Sequence, residues 1–268
     1  MRAPVNGCNF FFSESGSPAG LPVVFVHGFP FSHEMWKAQV DALSPEGYRV
    51  LTYDVRGHGL SDVGDGQYTI EGHVDDLIGL LDHWKTSRVV IVGLSMGGYI
   101  ALRALERNPE RFCGAVLCDT RSETDPNEGK IRRARTMAMV KSRGSSAFAD
   151  DFIKGVFAPA TLSSNPSAVA MIRNIIVHTT PLSIAGTLLA LAARTDTTAS
   201  LAAISIPTLI LVGELDATTP VASARAIHAA IPGSEIQIVP GAAHMSNIEN
   251  PAAFNGALLP FLRRIPRA

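Results

Sequence analysis

The chain has 268 residues, 46% of them hydrophobic and 18% charged, a globular composition outside the disordered and fibrous classes and sufficient for one large α/β domain or two small ones. A formal net charge of −1 gives no electrostatic basis for nucleic acid or an anionic membrane as partner. Three cysteines, Cys8, Cys113 and Cys118, form an odd set without metal-ligand spacing, as expected of reduced packing residues in a cytoplasmic protein.

The first twelve residues lack the apolar run of a signal peptide, because Asn6, Gly7 and Asn9 interrupt them. Residues 5–13 read as an opening strand, closed by the turn signals Ser15-Gly16-Ser17-Pro18 and Gly20. The segment from Pro22 to Val26 is a buried strand that stops at His27-Gly28-Phe29-Pro30. Trp36, Val40 and Leu43 then fall on one helical face that Gly47 closes. Arg49 to Asp54 is a third strand, and it runs into Asp54-Val55-Arg56-Gly57-His58-Gly59-Leu60-Ser61, read as a structural loop closing over the turn at Ser95. Thr69 is placed to cap a helix with Val74, Leu77, Ile78 and Leu81 on one side. Val89 to Val92 is a β-branched strand, a helical pattern follows until Pro109, and Phe112 to Cys118 is the next strand.

The alternation then breaks. Between Arg121 and Thr198 no strand is predicted. Helices are expected around Ile131, Ala134, Met137 and Ala138, over Val169–Val177 and over Leu182–Ala193. Ile184–Ala193 is the longest apolar run of the chain and is too short to span a bilayer. The α/β rhythm resumes with the strand Ile206–Gly213, a helix beginning at Thr219-Pro220, the strand Glu235–Val239, and a closing helix at Asn250-Pro251 that buries Phe254, Leu258, Phe261 and Leu262. Strands alternating with helices of this length predict a mostly parallel sheet covered on both faces.

The chemistry is concentrated at Gly93-Leu94-Ser95-Met96-Gly97, a G-x-S-x-G at a strand-to-helix junction. A serine at so sharp a turn needs neighbours without side chains, and the new helix presents free N–H groups beside it. A serine hydroxyl needs a base to take its proton and a carboxylate to hold that base in the correct tautomer. Asp216 follows a late strand, with Glu214 and Asp119 as rival acids. His244 follows the last strand in a small-residue loop, whereas His228 falls inside a predicted helix and His27 is read as a brace for its own loop. Two N–H donors are required for an oxyanion: Met96 is one, and Phe29, ahead of Pro30 with its missing N–H, is the other. Neither a phosphate-binding loop nor a metal-ligand spacing is present, so no cofactor or metal is expected. The run Lys130, Arg132, Arg133, Arg135, Lys141 and Arg143 reads as a solvated helix face, with attraction of a carboxylated substrate as the alternative.

These landmarks, together with Val212-Gly213-Glu214-Leu215-Asp216 and Gly241-Ala242-Ala243-His244, resemble the α/β-hydrolase superfamily over nearly the full length of the chain. Within it the sequence is similar to small cofactor-free esterases, 3-oxoadipate enol-lactonases and non-haem haloperoxidase-like perhydrolases. The resemblance implies a Ser95–Asp216–His244 triad and a helical cap over residues 121–200, set between core segments 1–120 and 201–268. It also implies an ester or lactone substrate. A serine at position 95 separates the chain from the branches of this scaffold that attack with aspartate. Three readings follow: a carboxylesterase for small to medium acyl esters, a lactone- or peroxide-directed relative with the same triad, and a non-enzymatic receptor that keeps the triad.

Overall fold

The computed structural model describes residues 1–266; residues 267 and 268, at the end of the expected second core segment, lie outside it. An antiparallel hairpin, β1 (Arg2–Val5) and β2 (Cys8–Gly16), opens the chain. The single strand expected over residues 5–13 is therefore two strands. Asn6 and Gly7, at φ 45° and 72°, form the tight turn between them, the pairing of residues that two-residue hairpins favour. Next come β3 (Pro22–Val26), α1 (Lys37–Leu43), β4 (Arg49–Tyr53), α2 (Ile70–His83), β5 (Val89–Leu94), α3 (Met96–Arg107) and β6 (Phe112–Cys118). Thr69 caps α2 as expected, its hydroxyl accepting the Gly72 N–H at 2.9 Å.

Four helices stand between β6 and the next strand: α4 (Asn127–Val156), α5 (Pro159–Ser164), α6 (Pro166–His178) and α7 (Pro181–Ala193). α4 is broken at Gly144, whose φ of 79° leaves the helical region. Ile131, one of the residues whose spacing predicts this helix, is 52% exposed, because the first half of α4 faces solvent nearly all round. β7 (Thr208–Gly213), α8 (Val221–Ala230), β8 (Glu235–Val239), α9 (Ser246–Glu249) and α10 (Pro251–Arg263) complete the described chain. Among the described residues no single helix is long and apolar enough to cross a membrane. The α6–α7 pair reaches that composition together only across a bend of 96°.

The eight strands form one sheet in the order β1-β2-β4-β3-β5-β6-β7-β8, antiparallel at β1 and β2 and parallel from β4 onward. β5 and β7 are buried at every residue, as strands covered on both faces must be, which explains their unbroken apolar runs. All parallel strands end at one edge. The loops after β3, β5, β6, β7 and β8 are therefore gathered there, where ligands of open α/β sheets bind.

Besides His244, three histidines are buried: His27, His58 and His73. His27 Nδ1 donates to the Gly28 carbonyl at 2.8 Å while Nε2 accepts the Val55 N–H at 2.9 Å, an arrangement that requires the neutral ring. Its role as a brace is thus visible. Burial holds His58 and His73 neutral as well, pushing both down to about 3, and Nε2 of each lacks a hydrogen-bond partner. Above about pH 6.5 the rings are neutral in both folded and unfolded chains and make no contribution. Below it the unfolded chain binds protons that the folded chain refuses, so stability falls between about pH 6.5 and about 3. At about 1.4 kcal/mol per unit and ring, His58 and His73 together should remove on the order of 4 kcal/mol between pH 7 and pH 5. Urea unfolding at the two pH values checks this; equal stabilities would contradict it.

Candidate active site

The turn after β5 is built by steric exclusion. Ser95 sits at φ 54° and ψ −111°, a left-handed backbone that costs a non-glycine residue about 1–2 kcal/mol. A methyl group on Gly93 would drive into the Gly97 carbonyl, and one on Gly97 into the Val26 carbonyl, so the motif's two glycines are required by close approach. The end of β6 pins the turn: Ser95 N–H donates to the Cys118 carbonyl at 2.9 Å, and Thr120 Oγ1 donates to the Ser95 carbonyl at 2.9 Å. The N-terminus of α3 begins at Met96, directly after the serine.

The acid and the base meet three residues past β7 and five past β8. His244 Nδ1 lies 2.8 Å from Asp216 Oδ2, and both side chains are buried. Asp216 Oδ1 accepts the Thr218 and Thr219 N–H groups at 2.7 and 3.0 Å, while the Thr219 hydroxyl donates to Oδ2 at 2.6 Å. Burial alone would raise this carboxyl; the adjacent His244 ring and these hydrogen bonds outweigh it and hold the group below the usual carboxylate range. An ionised Asp216 accepts the Nδ1 proton, which leaves Nε2 of His244 as a lone-pair base. No hydrogen bond joins Ser95 Oγ to the ring among the described residues; such links often form only with substrate in place.

The rival candidates have other hydrogen-bond partners. Glu214 accepts the Gly241 N–H at 2.9 Å and is exposed to solvent. Asp119 is fully buried but bonds to Gly213 and Ser246, not to the histidine. His228, on α8, pairs with Ser234 just before β8. Phe29 stands in the loop after β3, its ring 6.0 Å from both Phe148 and Phe152 of α4. The Asp54–Ser61 loop is internally tied: Asp54 accepts N–H groups from His33 and Leu60, and the Ser61 hydroxyl donates to its carbonyl. It packs His58 against the rings of His27 and Phe29 in the loop after β3. In the basic run Lys130, Arg132, Arg135, Lys141 and Arg143 are exposed, and Arg133 is paired with Asp125.

Two contributors escape sequence reasoning. Thr219, three residues past Asp216 and 25 before His244, bridges the pair, its hydroxyl 3.2 Å from His244 Nδ1. Glu249 accepts the Ala243 N–H with one oxygen, while the other takes Ala158 N–H and the Thr161 hydroxyl, tying the histidine loop to the helices between β6 and β7. Only Asp216-x-x-Thr219, a common turn pattern, carried any sequence signal for these contacts. Among the described residues no group of three His, Cys, Asp or Glu side chains is arranged to hold a metal ion.

A family model described as the alpha/beta hydrolase family matches residues 23–257. The chain is 30% identical to 3-oxoadipate enol-lactonase 2 of Acinetobacter baylyi, over 94% of its own length and 91% of that protein's. Among solved structures it superposes on a thermophilic esterase from Thermogutta terrifontis with a TM-score of 0.93 and 36% identity, covering 99% of this chain and 98% of that one. The enol-lactonase from Burkholderia xenovorans LB400 gives a TM-score of 0.92 at 32% identity, covering 98% and 100% of the two chains.

Proposed function

Because the chain belongs to the alpha/beta hydrolase family, we propose that it is a serine carboxylesterase acting on small to medium acyl esters through an acyl-enzyme at Ser95. The observation that carries this reading is the buried 2.8 Å contact between His244 and Asp216 at the sheet edge that also holds the strained Ser95 turn. Ser95 Oγ attacks the ester carbonyl while His244 Nε2 takes its proton. Asp216 keeps the Nδ1 proton in place and stabilises the imidazolium that forms. The negative charge on the carbonyl oxygen is met by the backbone N–H groups of Met96, free at a helix start, and Phe29. His244 returns its proton to the departing alcohol, and water then repeats the sequence to release the acid.

The helices of residues 121–200 serve as a cap in this reading. Phe148 and Phe152, 5.0 Å apart on α4, pack against the Phe29 ring, Phe148 tilted and Phe152 edge-on, and form an apolar wall beside the proposed oxyanion donor. Such a wall favours an uncharged acyl group of limited length. A second reading, opening of an enol-lactone, uses the same triad on an internal ester and draws support from the two enol-lactonase relatives. Initial rates on p-nitrophenyl esters from acetate to palmitate, beside an enol-lactone, separate the two. The proposal expects turnover that peaks at short to medium chains. Turnover of the lactone alone would replace it with the second reading.

A further inference from the structure

At the end of β6 stands a buried carboxyl group that the proposed chemistry does not use. Asp119 is 0% exposed and is held at φ 43°, a left-handed backbone that a non-glycine residue adopts at a cost. Its N–H donates to the Leu211 carbonyl at 2.8 Å, extending the β6–β7 pairing by one step. Its side chain then turns along the sheet edge. Oδ1 accepts the Gly213 N–H at 2.8 Å, on the last residue of β7 and three before Asp216. Oδ2 is hydrogen-bonded to the hydroxyl of Ser246, two residues beyond His244. The residues on either side of Asp119 hold the third station, since Cys118 and Thr120 bond the Ser95 backbone.

From this we infer that Asp119 is a positioning residue of the proposed triad, one carboxyl group fixing the acid-bearing and histidine-bearing loops to the strand that also anchors the Ser95 turn. The inference rests on the triad reading of Ser95, Asp216 and His244. The ionisable groups around it are Asp216 from the loop after β7, His244 from the loop after β8, and Cys118 on its own strand. Burial, reinforced by the negative charge of Asp216, raises the Asp119 carboxyl well above the usual range. A neutral Asp119 leaves the negative charge of this pair on Asp216, where the histidine requires it. A neutral acid also predicts that an amide of the same shape can do its work. Asparagine at 119 keeps an acceptor for Gly213 N–H and offers an N–H to Ser246 Oγ.

The test measures kcat and KM per active site, with sites counted by an organophosphate that releases p-nitrophenolate stoichiometrically, so that misfolded protein does not enter the rate. Asp119→Ala should lower kcat per titrated site by about 10–100-fold with KM within about twofold, the scale of effect expected from slight misplacement of reacting groups. Asp119→Asn should recover most of that loss, and Ser246→Ala, which frees only the histidine loop, should fall between. An Asp119→Ala enzyme with fewer titratable sites but normal kcat per site would overturn the inference, leaving Asp119 a stability residue. So would Asp119→Asn being as impaired as the alanine variant. Ser95→Ala run in parallel separates the two claims: if it is inactive while Asp119→Ala turns over normally, the triad stands and only the role of Asp119 fails.

Discussion

Replacing Ser95 with alanine is expected to lower ester turnover by about 10⁴-fold or more while leaving the fold unchanged. The substitution removes one oxygen. It leaves the Cβ that already tolerates φ 54°, so the strain of the turn is the same in both proteins. The backbone bonds from Ser95 to Cys118 and Thr120 involve no side-chain atom of the serine and persist in the variant. Melting temperature should therefore stay within a few degrees of the parent, a scale set by a change of under about 1 kcal/mol. Initial rates on p-nitrophenyl acetate and a thermal melt of the same preparation check both halves. Turnover within tenfold of the parent would move the chemistry away from Ser95.

The second large effect is expected at Asp216. In Asp216→Asn the amide oxygen takes over the two backbone donors, Thr218 and Thr219 N–H, that reach Oδ1. The amide nitrogen then replaces Oδ2 and presents hydrogens to His244 Nδ1, which lies 2.8 Å from that position. To avoid two facing donors the ring moves its own proton to Nε2, the nitrogen that must be free to accept from serine. A loss in kcat of about 10³–10⁴-fold follows, the cost of the wrong tautomer in a serine–histidine–aspartate system, with little change in KM. If Asp216→Asn stays within tenfold of the parent, the acid is elsewhere, and Asp119→Asn or Glu214→Gln should then show the missing loss.

Where the sequence could be read, the reason was periodicity. Short, largely apolar runs at Val89, Phe112 and Thr208 marked the parallel strands, and a residue just past the end of such a strand is committed to one edge of the sheet. That constraint, with the chain order that the family resemblance implies, singled out Ser95, Asp216 and His244 as candidates, although their registry in space was not legible. The opening hairpin was encoded as well, in Asn6-Gly7, but the alternation of residues 5–13 masked it as one strand. The helices between β6 and β7 were legible as helices and not as packing: Ile131 sits at helical spacing yet faces solvent, and Gly144 breaks a helix that composition does not interrupt. Contacts such as Glu249 to Thr161, or Asp119 to Ser246, join residues 88 and 127 positions apart, and nothing local announces them.

The central claim is that Ser95 carries a covalent intermediate, and trapping it is the most direct measurement. Treatment with diethyl p-nitrophenyl phosphate should release one equivalent of p-nitrophenolate per chain and abolish ester turnover. Peptide mapping by mass spectrometry should then place the diethylphosphoryl group on Ser95. A protein that keeps hydrolysing esters after exposure, or that carries the group on another residue while Ser95 stays free, would contradict the account.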